Sequence, residues 1–252
     1  ASVVGVAFVL PVARLTAWTI AGSGSDERYP ELLSNTLALA AIAALGAAGA
    51  AVVVAYGVRL SRDRAVPILA RVAGMGYALP GSVIAVSVLA LLAWLDRFLG
   101  TVLSGAVGFS AGVFLTGSIA GLIFAYIVRF LSASCQTVEA SLVKVTPAMD
   151  EAARSLGVGP RGVLRRIHLP LIRRGLATAA ILVFVDVMKE MPATLLLRPL
   201  GYETLAIRVW QFTSESLWEA AALPALTIVA AGIIPVIILV GSSARPRARK
   251  NS

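Results

Sequence analysis

The sequence predicts an all-α polytopic membrane protein of about six transmembrane helices, with one long basic loop between the fourth and fifth. Three observations carry that prediction. Hydrophobic residues fill 58% of the 252 positions and charged residues only 14%, at a mean hydropathy of +0.88; no ordinary soluble domain is so apolar. The apolar residues gather into six runs, each near the roughly 20 residues that a helix needs to cross a bilayer. The basic residues concentrate in alternate loops, a pattern that a large soluble helical core has no reason to show.

The runs can be taken in order. The first, about Ala1–Ile20, has the length of a signal peptide but lacks a basic start and is interrupted by Pro11 and Arg14; we read it as a first spanning helix with a truncated start. The second, Asn35–Val58, is mostly alanine, valine and glycine. The third, about Tyr77–Leu95, opens on Leu79-Pro80-Gly81. The fourth, about Gly112–Leu131, places Gly117 and Gly121 one turn apart, where small residues let helix backbones approach; generic bundle packing accounts for them. The fifth is about Leu176–Leu196 and the sixth about Ala220–Val240, with Pro224 and Pro235. Between these last two, Leu205, Val209, Phe212 and Ser216 share one face of a helix that lies on the membrane surface or dips into it.

Charge orients the bundle. If the loop at about 132–175 is cytoplasmic, so are Arg59, Arg62, Arg64 and Arg71 after the second helix and the basic tail at 242–252 with Arg245, Arg247, Arg249 and Lys250. Arg129, Lys144, Arg154, Arg161, Arg165, Arg166, Arg173 and Arg174 add to the same side. The other side keeps Arg28, Arg97, Arg198 and Arg208. This is the positive-inside bias, and it implies both termini in the cytoplasm of a multi-pass protein. It also explains the net charge of +9 without nucleic acid. Trp18, Trp94, Trp210 and Trp218 fall near outer helix ends, where an indole suits the interface. Cys135 stands alone, which excludes a disulfide framework or a cysteine metal site; it reads as a packing residue.

The long loop contains EAARSLGVGPRGVLRRIHLP, residues 151–170. Thr146 suits a helix cap, Pro147 the first turn, and Asp150 and Glu151 the positive helix end. Met149, Ala152, Ala153 and Leu156 make one face apolar. Gly157 stops the helix, and Gly159-Pro160 starts a second, basic one ending near Pro170. A DNA-binding helix-turn-helix has this outline, but a loop tethered to the bilayer at both ends reaches DNA poorly, so a soluble protein partner fits better. Glu151-Ala152-Ala153, three residues, Gly157, nine residues and Ile167-His168-Leu169-Pro170 resemble, without a gap, the EAA loop of ABC-importer permeases. That resemblance implies that Glu151, Ala152, Ala153, Gly157, Ile167, Leu169 and Pro170 form a coupling helix seated on a separate cytoplasmic ATP-binding subunit. His168, the only histidine, occupies a variable position of that pattern and reads as surface filler.

The fifth run carries Asp186, Lys189 and Glu190 at i, i+3 and i+4, and therefore on one helical face, ahead of Pro192, which should bend the helix. A charge at bilayer depth costs about 2.5–3.5 kcal/mol on insertion scales. Three of them should face a bundle interior, a partner or water. They serve either as a translocation pathway or gate, or as an ion-pair network that holds helices together. The stretch from Lys189 to Pro199, with Gly201-Tyr202-Glu203-Thr204-Leu205-Ala206, resembles the ferric-iron branch of these permeases; branches for thiamine, phosphonates and polyamines have similar frames.

No Gly-x-x-x-x-Gly-Lys-Ser/Thr phosphate loop is present, and one histidine leaves no credible catalytic constellation. No catalytic residue, metal site or cofactor is expected in this chain; ATP is expected on a partner. The resemblance implies a single permease domain over residues 1–252, alone or as one half of a longer fused permease, in a bacterial inner membrane. Its implied partners are the ATPase subunits, a second permease half or copy, an external substrate-binding protein and the lipid bilayer. A secondary transporter or channel using the charges of the fifth helix is the alternative.

Overall fold

In the computed structural model, residues 3, 5–22, 26–61, 63–107 and 114–243 are described, and among them helices are the only regular elements. The protein is an all-α polytopic membrane protein, as its sequence predicts. Its contacts group into two compact units, residues 1–36 with 203–252, and residues 37–202. Four helices are by themselves long and apolar enough to cross a membrane: Tyr29–Leu60, Gly81–Val102, Ile119–Leu142 and Ala222–Gly241.

The larger unit holds most of α2 (Tyr29–Leu60), then α3 (Ala65–Ala78), α4 (Gly81–Val107) and α5 (Ile119–Leu142). It continues through α6 (Pro147–Ser155), α7 (Pro160–Val163), α8 (Leu169–Met188) and α9 (Pro192–Leu197). Alanines 40, 43, 44, 47, 48, 51 and 55 form the buried stripe of α2, spaced three and four apart as a helical face demands. Its last turns join Cys135 and Val138 of α5, Val145, and Ile172 and Ala179 of α8 in one apolar cluster. Cys135 packs there, as its isolation suggests.

Four expectations change in this unit. The third span is divided: α3 ends in a 3₁₀ turn and the helix restarts after Leu79-Pro80, because proline supplies no N–H to continue the ladder. Its second piece does not stop at Leu95 but runs to Val107, so Trp94 lies mid-helix, stacked on Phe98 at 5.7 Å, and not at a helix end. Asp96, one residue past the expected end, is buried and accepts backbone N–H bonds from Phe114, Leu115 and Thr116 at 3.2, 2.9 and 2.9 Å; three donors replace the water it gives up. Gly117 is not in the fourth span: it turns the chain at φ +70°, and Ser118 caps α5 by accepting from the Gly121 N–H. The fifth span starts earlier than Leu176 and breaks at Lys189–Met191.

The smaller unit contains α1 (Gly5–Ile20), the first turns of α2, α10 (Leu205–Ser214) and α11 (Ala222–Ser243). Thr204 caps α10, whose Leu205 and Ile207 are fully buried, and Thr36 accepts the Leu205 N–H at 2.9 Å. Arg208 lies over the Phe212 ring and pairs with Asp26 at 2.5 Å. The helix foreseen between the last two spans is thus seated by its own first turn, but it ends at Ser214, and Ser216, expected on its face, turns the chain at φ +61°. Arg62 and residues 244–252 of the basic tail lie outside the described residues.

Candidate functional site

Two polar constructions stand out, one in the loop that follows α5 and one inside the bundle. In the loop, α6 ends as its sequence asks. Gly157 adopts φ +76° and the Val158 N–H closes back onto the Ala153 carbonyl at 3.0 Å, a left-handed cap that glycine makes without steric cost. Ala153 turns inward, whereas Glu151, Ala152, Met149 and Leu156 are exposed, Leu156 at 83%. Much of the apolar face of α6 therefore points away from its own unit. Large exposed apolar groups on a short helix mark a contact surface more often than a packing surface.

The basic helix does not end near Pro170. It passes through a π turn at Leu164–His168, with the Leu169 N–H bonded to the Leu164 carbonyl, and continues as α8. The wider turn lets the helix absorb a proline inside its run. Ile167 is half-buried, Leu169 packs on the apolar cluster with Ile172, and Pro170 is exposed. Arg161, Arg165 and Arg166 are exposed.

His168 is not surface filler. It is 1% exposed, and its Nε2 lies 2.7 Å from Asp150 Oδ1. The other carboxylate oxygen accepts from Arg59 Nη2 at 2.9 Å and Nε at 3.1 Å, while the same Nη2 donates to the Val145 carbonyl at 2.9 Å. Tyr56 packs edge-on against the imidazole, 5.4 Å between centroids, and its hydroxyl donates to the Pro160 carbonyl at 2.7 Å. Burial by itself raises the Asp150 carboxyl, but the hydrogen bonds from His168 and Arg59 outweigh it and hold it below its ordinary value. Spacing along the loop gave no sign of this joint, since Arg59 lies 91 residues from Asp150.

Inside the bundle, Asp186, Lys189 and Glu190 do not share a helical face. Lys189 caps α8 and Glu190 lies beyond it. Lys189 pairs with Asp186 at 2.9 Å, is 63% exposed, and has Tyr77 nearby, whose hydroxyl donates to Asp186 at 3.4 Å. Glu190, 7% exposed, turns the other way and pairs with Arg129 of α5 at 3.2 Å. It also accepts the Ala193 N–H at 3.3 Å, which caps the restart of the helix that Pro192 opens. Tyr126 and Thr194 hydrogen-bond to each other beside it, and Thr194 donates to the Glu190 carbonyl. Arg129 was grouped with the loop arginines. It lies near the middle of α5 instead, where a buried carboxylate offsets the cost of its charge.

Gly81 explains how the second broken helix reaches this layer. A Cβ there would stand 2.3 Å from Glu190 Oε1 and 2.6 Å from Arg129 Nη1. The break at Leu79-Pro80 and the break at Glu190-Met191 thus meet at one level, around one arginine. Irregular backbone at membrane depth is tolerated where protein or water satisfies it, and the pair does so here.

Comparison with known proteins places this architecture. The "Fe(3+)-transport system permease protein FbpB 2" of Haemophilus influenzae is 29% identical over 235 residues, 91% of this chain and 43% of that protein. The "Putative 2-aminoethylphosphonate transport system permease protein PhnV" of Salmonella typhimurium is 28% identical over 134 residues, 53% of this chain and 50% of that one. The chain spans about half the length, or less, of these relatives. A chain of a bacterial alginate ABC transporter, solved in complex with an alginate pentasaccharide-bound periplasmic protein, superposes with a TM-score of 0.72 over 94% of this chain and 88% of that one, at 16% identity, and shares the fold. Residues 57–247 match the description "binding-protein-dependent transport system inner membrane component", and the chain belongs to that family.

Proposed function

We propose that this chain is the membrane-spanning permease subunit, or one half of a longer fused permease, of an ATP-driven importer, and that its substrate is ferric iron. An external binding protein delivers the substrate, and two such units enclose the path. ATP is bound and hydrolysed by separate cytoplasmic subunits that seat on α6, and alternating access follows from rigid-body motion of the helices. Both termini then lie in the cytoplasm of an inner membrane.

The observation that supports this reading best is the outward-facing α6, capped at Gly157 and bearing exposed Met149, Ala152 and Leu156, in a chain whose family is that of binding-protein-dependent transport. Ferric iron rests on the Haemophilus influenzae relative, which aligns with most of this chain. The similarity to the phosphonate permease over about half the chain supplies a second reading, with 2-aminoethylphosphonate as the substrate. Among the described residues there is no group of three or more His, Cys, Asp or Glu that could hold a metal ion.

The test is uptake. The chain is expressed with its neighbouring genes, purified in mild detergent and placed in vesicles with its binding protein and ATP. Accumulation of radiolabelled ferric iron that depends on ATP is the expected result. Accumulation of labelled 2-aminoethylphosphonate without iron would move the assignment to the second substrate. A chain that retains no ATPase subunit and moves an ion down a gradient would instead be a secondary transporter or channel.

A further inference from the structure

We infer that Asp150, Arg59 and His168 form the mechanical joint through which α6 moves the spanning helices, with Asp150 as its positioning residue. This rests on the proposed seat of an ATPase on α6, and it adds how that seat is tied to the bundle. A nine-residue helix is too short to hold its shape or place by itself. Most of its described apolar side chains point outward; Ala153 is buried, as is Val145 just before the helix. The remaining attachment is polar and comes from both sides. One carboxylate oxygen of Asp150 takes two N–H groups of Arg59, on the last turn of α2. The other takes His168, which sits at the end of the π turn, directly before α8. One side chain on the docking helix thus bridges the ends of two long helices.

The chemistry suits a joint that stays closed. Arg59 cannot release its charge. It also holds the Val145 carbonyl, which fixes the approach of the chain to α6. An ionised carboxylate is acceptor-only, so His168 Nε2 carries the proton, and the neutral imidazole suffices to make the bond. Its Nδ1 is buried without a hydrogen-bond partner, so Nε2 makes the ring's polar contact, with Tyr56 packed edge-on against it. Charge-assisted bonds of 2.7 and 2.9 Å are stiff compared with apolar contacts between side chains. Displacement of α6 is therefore passed to α2 and α8 together, and α8 carries it to the break at Lys189–Met191.

The test uses the assembled complex of permease, ATPase subunits and binding protein in vesicles. Three quantities are read: the ATPase subunit retained on a tagged permease, the basal ATPase rate, and its stimulation by loaded binding protein. Asp150→Asn and His168→Leu are expected to keep the retained subunit and the basal rate but to lower stimulation and uptake together by about tenfold, the scale of one lost charge-assisted bond. His168→Gln, which keeps a donor toward Asp150, is expected to recover most of the stimulation. Normal stimulation in both Asp150→Asn and His168→Leu would overturn the joint. So would loss of the ATPase subunit from otherwise monodisperse variants, because Asp150 would then build the docking surface itself. If His168→Leu fails to fold while His168→Gln behaves as wild type, the contact is one of folding and the proposal falls. A wild-type chain that retains no ATPase subunit would count against the proposed function instead.

Discussion

The two polar constructions of this protein use the same elements in opposite settings. Each joins a carboxylate to an arginine across distant parts of the chain: Asp150 to Arg59 at the end of α2, Glu190 to Arg129 in the middle of α5. The first pair lies on α6, a short helix whose Met149 is exposed, as is Leu156 just past its end. The second is sunk among Tyr126, Thr194 and Gly81. The loop pair is braced by a histidine, on the short helix proposed as the ATPase seat; the bundle pair closes two helix breaks. The pairs themselves are buried to a similar degree, at 23% and 15% side-chain exposure against 18% and 7%; what separates them is their attachment, one to a short helix with exposed apolar side chains and the other to two broken helices. Removing one member of a buried pair strands a charge, and Glu190, the least exposed of these four side chains, has the most to lose.

The largest effect should come from the bundle. Arg129→Leu leaves Glu190 buried without its cation, and loss of one partner of such a pair costs about 3–5 kcal/mol. The purified variant should lose monodispersity at a much lower temperature than wild type in a detergent melt, and Arg129→Leu combined with Glu190→Gln should recover part of the difference. A near-normal melt for Arg129→Leu would mean that water, not Arg129, satisfies Glu190. Gly81→Val probes the same layer from the other broken helix. Its Cβ would start 2.3 Å from Glu190, and overpacking of this kind costs about 1–3 kcal/mol. The same melt checks it, and a smaller shift than for Arg129→Leu is expected.

At the loop, Gly157→Asp should divide stability from function. The site has open space around a Cβ but a φ of +76°, and the left-handed region costs an L residue about 1–2 kcal/mol. Membrane insertion and the melt should stay close to wild type, while retention or stimulation of the ATPase subunit is lost. Full transport with normal stimulation would contradict a coupling role for the turn.

Asp150 adds a pH dependence of known sign. Its carboxyl is held below its ordinary value in the folded chain, so its contribution is complete above the unfolded value near pH 4 and is lost as pH falls through the lower folded value. Hydrogen exchange over residues 147–168, corrected for intrinsic rate, should show constant protection near neutral pH and a fall only in the acid range. In Asp150→Asn that fall should disappear. The smallest stability effect is expected at Lys189, which is 63% exposed in this chain. Lys189→Gln should move the melt by less than about 1 kcal/mol. A clear drop in substrate uptake with an unchanged melt would favour the pathway reading of the Asp186–Lys189 pair over an ion-pair network.

What the sequence disclosed follows the range of each interaction. The second, fourth and sixth spans were readable because hydropathy is a local sum, and α6, Gly157 and the start at Pro160 because caps and turns are set by neighbours. The break at Pro192 was signalled by the proline itself. The partners of Asp150 and Glu190 were not readable, since Arg59 and Arg129 are fixed by packing between distant helices. Arg129 looked like a loop residue because charge is rare at bilayer depth, and only the buried Glu190 opposite reverses that expectation. His168 looked incidental for the same reason: nothing near it in the chain announces the aspartate 18 residues away. The longer reach of α4 past Asp96 was hidden because its donors come from the turn after the helix.

The most direct test is a photo-reactive side chain placed at the exposed Leu156, the residue after α6, in the complex expressed with its neighbouring genes. Illumination should link the permease to an ATP-binding subunit, and the same probe at the exposed Val53 within α2 should not. Cross-linking of residue 156 to an external binding protein, or to lipid alone, would contradict the account.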